Sequence, residues 1–152
     1  MPVVKKLIAR NKQARRNIQI EDTWEAGVVL MGSEVKSLRS GNCSLNEGYC
    51  HVKDNEIWLH DVNIPIYPFA HRTGHEPKRE RKLLLHAREI KKIAIKVVEK
   101  GFTLVPLQIY WKGSHVKVEI GVGRGKRLHD KRQDMSKRDS DREIARALKN
   151  NR

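Results

Sequence analysis

A small closed β-barrel with two inserted helices, flanked by basic ends too polar to join a core, is the fold that three observations in this sequence predict. Short runs of apolar residues alternate with polar ones and are bounded by turn residues, the pattern of half-buried strands. One segment, 83–98, changes to apolar spacings of three and four, which is the helical period. Both ends of the chain are rich in Lys and Arg and poor in large apolar side chains. At 152 residues, 38% hydrophobic and 5% aromatic, there is material for one modest core with extensions. The division that follows is a basic N-terminal arm over 1–16, a barrel over 17–122 and a basic C-terminal tail over 123–152. Four or five strands with two helices inserted are too few for a doubly wound sheet and suit a barrel.

The arm carries Lys5, Lys6, Arg10, Lys12, Arg15 and Arg16 and no acid, so it is expected to order late or not at all. Ile18, Ile20, Trp24, Ala26, Val28 and Leu30 then alternate along a long strand, with Asp22 alone out of place on that face. Residues 33–41 read as a short helix between glycines, Val35 and Leu38 facing inward and Lys36 and Arg39 outward. Gly48–Lys53 and Glu56–Asp61 form a hairpin around Asp54-Asn55, two residues that tolerate positive φ. Between Val62 and Lys82, Pro65, Pro68, Gly74 and Pro77 interrupt regular structure, giving a long loop of the kind that is usually functional or mobile. Leu83, Ala87, Ile90, Ile93, Ala94, Val97 and Val98 make one helical stripe that Gly101 ends. A second hairpin joins 102–111 to 115–122 around Lys112-Gly113-Ser114.

The formal net charge is +14, far beyond what solubility requires, and implies an acidic partner. The tail holds eleven Lys and Arg, five Asp and Glu, and almost nothing able to form a core. Such a segment cannot offset an ordering entropy of roughly 1–2 kcal/mol per residue by itself, so it should be loose alone and ordered on a polyanion, most simply nucleic acid. Within it, Ser140 and Glu143 form a capping box ahead of Ile144, Ala147 and Leu148, a helix marginal in isolation. No apolar run approaches the roughly 20 residues of a spanning helix, and Met1–Arg16 lacks the apolar stretch of a secretory signal. The expectation is a cytoplasmic protein with no membrane partner.

Other chemistry is weakly supported. Cys43 and Cys50 have no second pair and no metal-ligand spacing, so they are expected to be reduced and partly buried. His71 and His75 are four apart, but Gly74 and Pro77 oppose a helix there and no Cys or acid stands at ligand spacing, so neither a metal nor any other cofactor is expected. His129-Asp130 is the one catalytic candidate. Adjacent side chains do not face each other, so Asp130 is badly placed to orient the imidazole. A flat ring among Lys126, Arg127, Lys131 and Arg132 is better suited to stacking on a base while its neighbours hold phosphates. No catalytic residue is assigned, and an enzyme ranks last among the readings.

Seven stretches in register resemble the SsrA-binding protein family, small protein B. They are Asn11-Lys12-x-Ala14-Arg15, Glu25-Ala26-Gly27, Gly32-Ser33-Glu34-Val35-Lys36-Ser37-Leu38-Arg39, His75-x-Pro77-x-Arg79-x-Arg81-Lys82-Leu83-Leu84-Leu85-His86, Thr103-Leu104-Val105-Pro106-Leu107, Val116-Lys117-Val118-Glu119, and Gly125-Lys126-x-x-His129-Asp130-Lys131-Arg132. The resemblance implies an oligonucleotide-binding-type (OB-fold) barrel with two or three accessory helices. It also implies a monomer that binds the tRNA-like part of transfer-messenger RNA and brings it to stalled ribosomes for trans-translation. By position, it places Asn11, Lys12, Arg15, Glu25, Lys36, Arg39, Arg79, Arg81 and Lys82 on the RNA side of the barrel. Gly125, Lys126, Arg127, His129, Asp130, Lys131 and Arg132 fall in the tail that enters the empty decoding site and message channel and becomes helical on the ribosome. The chain departs from the family pattern at Ile18, near a common aromatic, and at Gly74, where Asn is usual. The rival reading is a generic ribosomal or ribosome-assembly protein with the same barrel and tail.

Overall fold

The computed structural model describes residues 4–66 and 75–125. The elements run β1 (Lys5–Arg10), α1 (Lys12–Asn17), β2 (Ile18–Val28), α2 (Gly32–Arg39), β3 (Tyr49–Lys53), β4 (Glu56–His60), β5 (Arg81–Leu84), α3 (Ala87–Ala94), β6 (Thr103–Lys112) and β7 (His115–Gly125). A π-helical turn, Ile95–Glu99, extends α3. All seven strands belong to one antiparallel sheet in the order β1-β6-β7-β2-β5-β4-β3.

The sheet is mainly β architecture as expected, but it is not a closed barrel. It curls until Gly48, just ahead of β3, meets Pro106 of β6, where an added Cβ would stand 3.0 Å from the proline ring. Among the described residues no ladder joins the edge strands β1 and β3. The concave side holds the main core, including Ala26, Leu38, Leu45, Ile57, Leu59, Leu83, Ile93, Ile109, Val118 and Ile120. A smaller cluster of Ala14, Val105 and Leu107, with Ile18 and Ile20 against it, packs α1 on the convex side.

Two bulges create this division. The β2–β7 register slips between Ile20 and Asp22, and the β6–β7 register slips between Pro106 and Gln108. Each extra residue reverses the phase of the alternation behind it. Ile18 and Ile20 therefore face the convex cluster while Trp24 and Ala26, beyond the bulge, pack into the concave core. Asp22, opposite Val122, stands at the bulge end of the face that carries Trp24 and Ala26 and pairs there with Lys96. The single-faced strand read from the sequence is corrected accordingly.

Three further boundaries differ from expectation. The N-terminal arm is part of the body: β1 pairs with β6 from Lys5↔Lys112 to Arg10↔Gln108, and the Asn11 side chain caps α1. At the other end β7 runs to Gly125, so 123–125 is strand. Gly123 is required there, since a Cβ would sit 1.9 Å from the Gln19 carbonyl oxygen. Finally, the stripe beginning at Leu83 is split. Arg81 and Leu83 alternate inward from β5, held between β2 and β4 by Val28↔Leu83 and Ile57↔Leu83. The helix begins only at Ala87, where the His86 amide donates to the Glu89 carboxylate at 3.0 Å.

The hairpins form where the turn residues place them. Asp54 and Asn55 take φ of 53° and 60° inside a Lys53↔Glu56 closing pair, and Gly113 takes 63° inside Lys112↔His115. Cys43 and Cys50 are free thiols, and burial pushes Cys43 up to about 11 and Cys50 higher still. Neither is a reactive thiolate near neutrality.

Candidate nucleic-acid interface

The convex face of β1-β6-β7-β2 carries a row of polar side chains set by strand pairing. Arg10, Gln108, Glu119 and Glu25 are consecutive cross-strand partners on it. Like charges directly opposite each other repel, and each carboxylate here is compensated differently. Glu25 accepts from the Tyr110 hydroxyl and from Lys112 Nζ at 2.9 Å, with Lys5 Nζ at 3.8 Å. The Tyr110 hydrogen bond is the chief influence holding the Glu25 carboxyl below the usual range; burial opposes it, and Lys112 and Lys5 add to it. Burial, then the contact with Glu25, raises Tyr110. Glu119 is less engaged: Gln108 Nε2 donates to one oxygen at 3.3 Å and Arg15 stands 3.8 Å from the other.

Beside Glu119 lies a cleft of about 620 Å³. Arg10, Lys12 and Arg15 supply cations to its wall, Leu107 an apolar surface, and Gln108 and Glu119 polar groups. The bulge at Leu107 makes this possible, because two consecutive residues can then lie on one face. Asn11 hangs α1 over the cleft. Its Oδ1 accepts from the Ala14 amide and its Nδ2 donates to the Pro106 carbonyl, both at 3.0 Å, while its own amide donates to the Leu107 carbonyl at 2.8 Å.

Of the nine barrel residues that the sequence nominates, Lys12, Arg15 and Glu25 come together on this face. Lys36 and Arg39 lie exposed on α2, with the Arg39 guanidinium 5.9 Å from the centre of the Trp111 ring. Lys82 is half-exposed and pairs with Glu56 at 2.7 Å. The other three are structural. Asn11 is 3% exposed and spent as the cap just described. Arg81 is fully buried: Nε donates to Glu34, and its two terminal nitrogens to the Val62 and Pro77 carbonyls at 2.8 and 3.0 Å. Arg79 also donates to Glu34 and reaches the Val29 and Glu80 carbonyls. Asn11 and Arg81 thus turn their polar atoms inward, where they are hydrogen-bonded.

Glu34, itself fully buried, is the hub of that interior cluster. Burial pushes its carboxyl up, but Arg79, the Met31 amide and Arg81 together outweigh it, so the net direction is down. His75, half of the pair weighed as metal ligands, is buried beside the same helix with Ser33 Oγ at 2.9 Å and the Ile64 carbonyl at 2.7 Å. Both ring nitrogens are engaged, and among the described residues no group of His, Cys, Asp and Glu is arranged to hold a metal. His71, Gly74 and the tail residues Lys126, Arg127, His129, Asp130, Lys131 and Arg132 lie outside the described residues; Gly125 ends β7. Arg10, Gln108 and Glu119 were missed by sequence reasoning. Only the outward phase of their strands marks them, and that phase depends on the bulge.

A family model described as SmpB protein matches residues 8–150. The SsrA-binding protein of Acidothermus cellulolyticus is 55% identical over 144 residues, covering 95% of this chain and 91% of that one. The SsrA-binding protein of Thermobifida fusca is 52% identical over 147 residues, covering 97% and 92%. A solved structure described as "tmRNA-SmpB: a journey to the center of the bacterial ribosome" superposes with a TM-score of 0.63 at 37% identity, covering 88% of this chain and 94% of that one.

Proposed function

The chain belongs to the SmpB protein family, and from that premise we propose that it binds transfer-messenger RNA and delivers it to stalled ribosomes for trans-translation. The observation that carries this reading is the match along nearly the whole chain to SsrA-binding proteins at more than half identity. It acts in the cytoplasm by binding, with no catalytic step. The convex face with Lys12, Arg15 and Glu25, together with Lys36, Arg39 and Lys82, takes the RNA; cations hold phosphates and the carboxylate meets base or amino groups. The tail from Lys126 onward, with Arg127, His129, Asp130, Lys131 and Arg132, occupies the decoding site and message channel and becomes helical there.

Two measurements test this. Tagged full-length chain added to bacterial lysate should recover transfer-messenger RNA; recovery of ribosomal RNA alone would favour a ribosome-assembly role. Truncation after Gly125, which leaves every β7 pair in place, should preserve RNA binding and abolish peptide tagging on stalled ribosomes. A truncated chain that still supports tagging would refute the division of labour between body and tail.

A further inference from the structure

We infer that the cleft beside Glu119 receives one unpaired guanine of the bound RNA and that Glu119 reads its Watson–Crick edge. The inference rests on the RNA-binding reading above and adds what that surface recognises. The parts of a single-nucleotide site are present: Arg10, Lys12 and Arg15 for a phosphate, and Gln108 with Glu119 for the edge of a base, over a floor closed by the buried Leu107. The volume, about 620 Å³, lies in the range of pockets that enclose small ligands. RNA is read chiefly at unstacked bases whose edges are open to hydrogen bonding.

An ionised carboxylate only accepts hydrogen bonds. Guanine alone among the four bases offers two adjacent donors on its Watson–Crick edge, N1–H and the 2-amino group, matching two carboxylate oxygens. Adenine and cytosine each turn a ring nitrogen lone pair towards the carboxylate, and uracil flanks its single donor with carbonyls. Glu25 is the wrong carboxylate for this task. Its oxygens are held by Tyr110 and Lys112, with Lys5 alongside. Glu119 has only the 3.3 Å bond from Gln108 and the distant Arg15, so lone pairs on both oxygens remain open, and the Gln108 bond fixes the carboxylate plane. Glu25 keeps its own place on the RNA face and also gathers Lys5 and Lys112 there.

The test uses the full-length chain and the transcribed tRNA-like portion of transfer-messenger RNA. Each guanine outside its helices is replaced in turn by inosine, which keeps N1–H and loses the 2-amino group. One replacement should weaken wild-type binding on the order of tenfold. Glu119→Gln should already bind the unmodified RNA about that much more weakly and should be indifferent to the same replacement. Charge alone predicts the opposite sign, since removing a carboxylate from a basic face strengthens phosphate binding. Glu119→Gln nearly preserves shape, and its thermal melt checks the fold. Overturning results are a wild type insensitive to every inosine, a variant that binds as tightly as wild type or tighter, or one that stays sensitive to the same position. Failure of the wild type to bind the unmodified RNA would instead overturn the proposed function.

Discussion

Glu34 and Glu25 each stand among cations, and the fold puts them to opposite uses. Glu34, on α2, is enclosed with Arg81, its oxygens consumed by the guanidinium groups of Arg81 and the partly exposed Arg79 and by a backbone amide. Glu25 lies on the convex face with Lys5 and Lys112, at 31% side-chain exposure and within reach of a ligand. In a chain of formal charge +14, the presence of Arg and Lys therefore says little about where RNA binds. What separates the two regions is burial: a guanidinium out of reach of solvent, as in Arg81, cannot hold a phosphate.

Breaking the interior cluster should have the largest effect on stability. Glu34→Ala leaves Arg81 buried beside an empty site, and removal of one partner of a buried pair costs about 3–5 kcal/mol. Urea denaturation should show that loss, or no folded protein at all. A loss below about 1 kcal/mol would mean that the cluster is hydrated and the contrast with Glu25 false.

The same carboxylate gives the contrast a pH dependence. Its folded value is depressed below the ordinary 4.5, so its contribution is complete above that value and is lost as pH falls through the folded one. Wild-type stability should therefore drop as pH is lowered from about 6 to below the ordinary carboxylate value. Glu34→Gln, with no proton to take up there, should start less stable and fall less steeply; parallel profiles would assign the acid sensitivity elsewhere.

Asn11→Ala sharpens the comparison at a smaller scale. Losing a helix cap costs about 0.5–2 kcal/mol, here with the bond to the Pro106 carbonyl as well. Because no cation is removed, the salt dependence of RNA binding should keep its slope even if affinity declines through a loosened α1. A shallower slope would return Asn11 to the RNA contacts.

Much of this was legible in advance. The Asp54-Asn55 turn and the hairpin around Lys112-Gly113-Ser114 follow from local chemistry, and both stand as read. The bulges were not legible, because an extra residue such as Glu21 or Leu107 carries no distinguishing side chain, yet it decides which face every later residue takes. Closure failed for a related reason: strand count permits a barrel, while edge pairing depends on how far the sheet curls. Arg79-x-Arg81 looked like a basic surface because its partner, Glu34, is distant in the chain, 47 positions from Arg81. On the convex face the difficulty was reversed. Glu119 reads as an ordinary outward strand residue until Leu107, Gln108 and α1 are brought around it.

The smallest expected change in stability comes from Lys12→Ala, and it isolates what the exposed face does. Lys12 is exposed on α1, so its loss should move stability by no more than about 0.5 kcal/mol. If it neutralises a phosphate, the slope of log affinity against log salt should become shallower by about 1, with affinity weakened similarly across RNA sequences. Arg81→Leu, by contrast, should change stability while leaving the slope as it is, because its guanidinium never meets solvent. Measured side by side, the two variants separate a cation that holds RNA from one that holds the protein. A slope altered by Arg81→Leu but not by Lys12→Ala would reverse the assignment of the two regions.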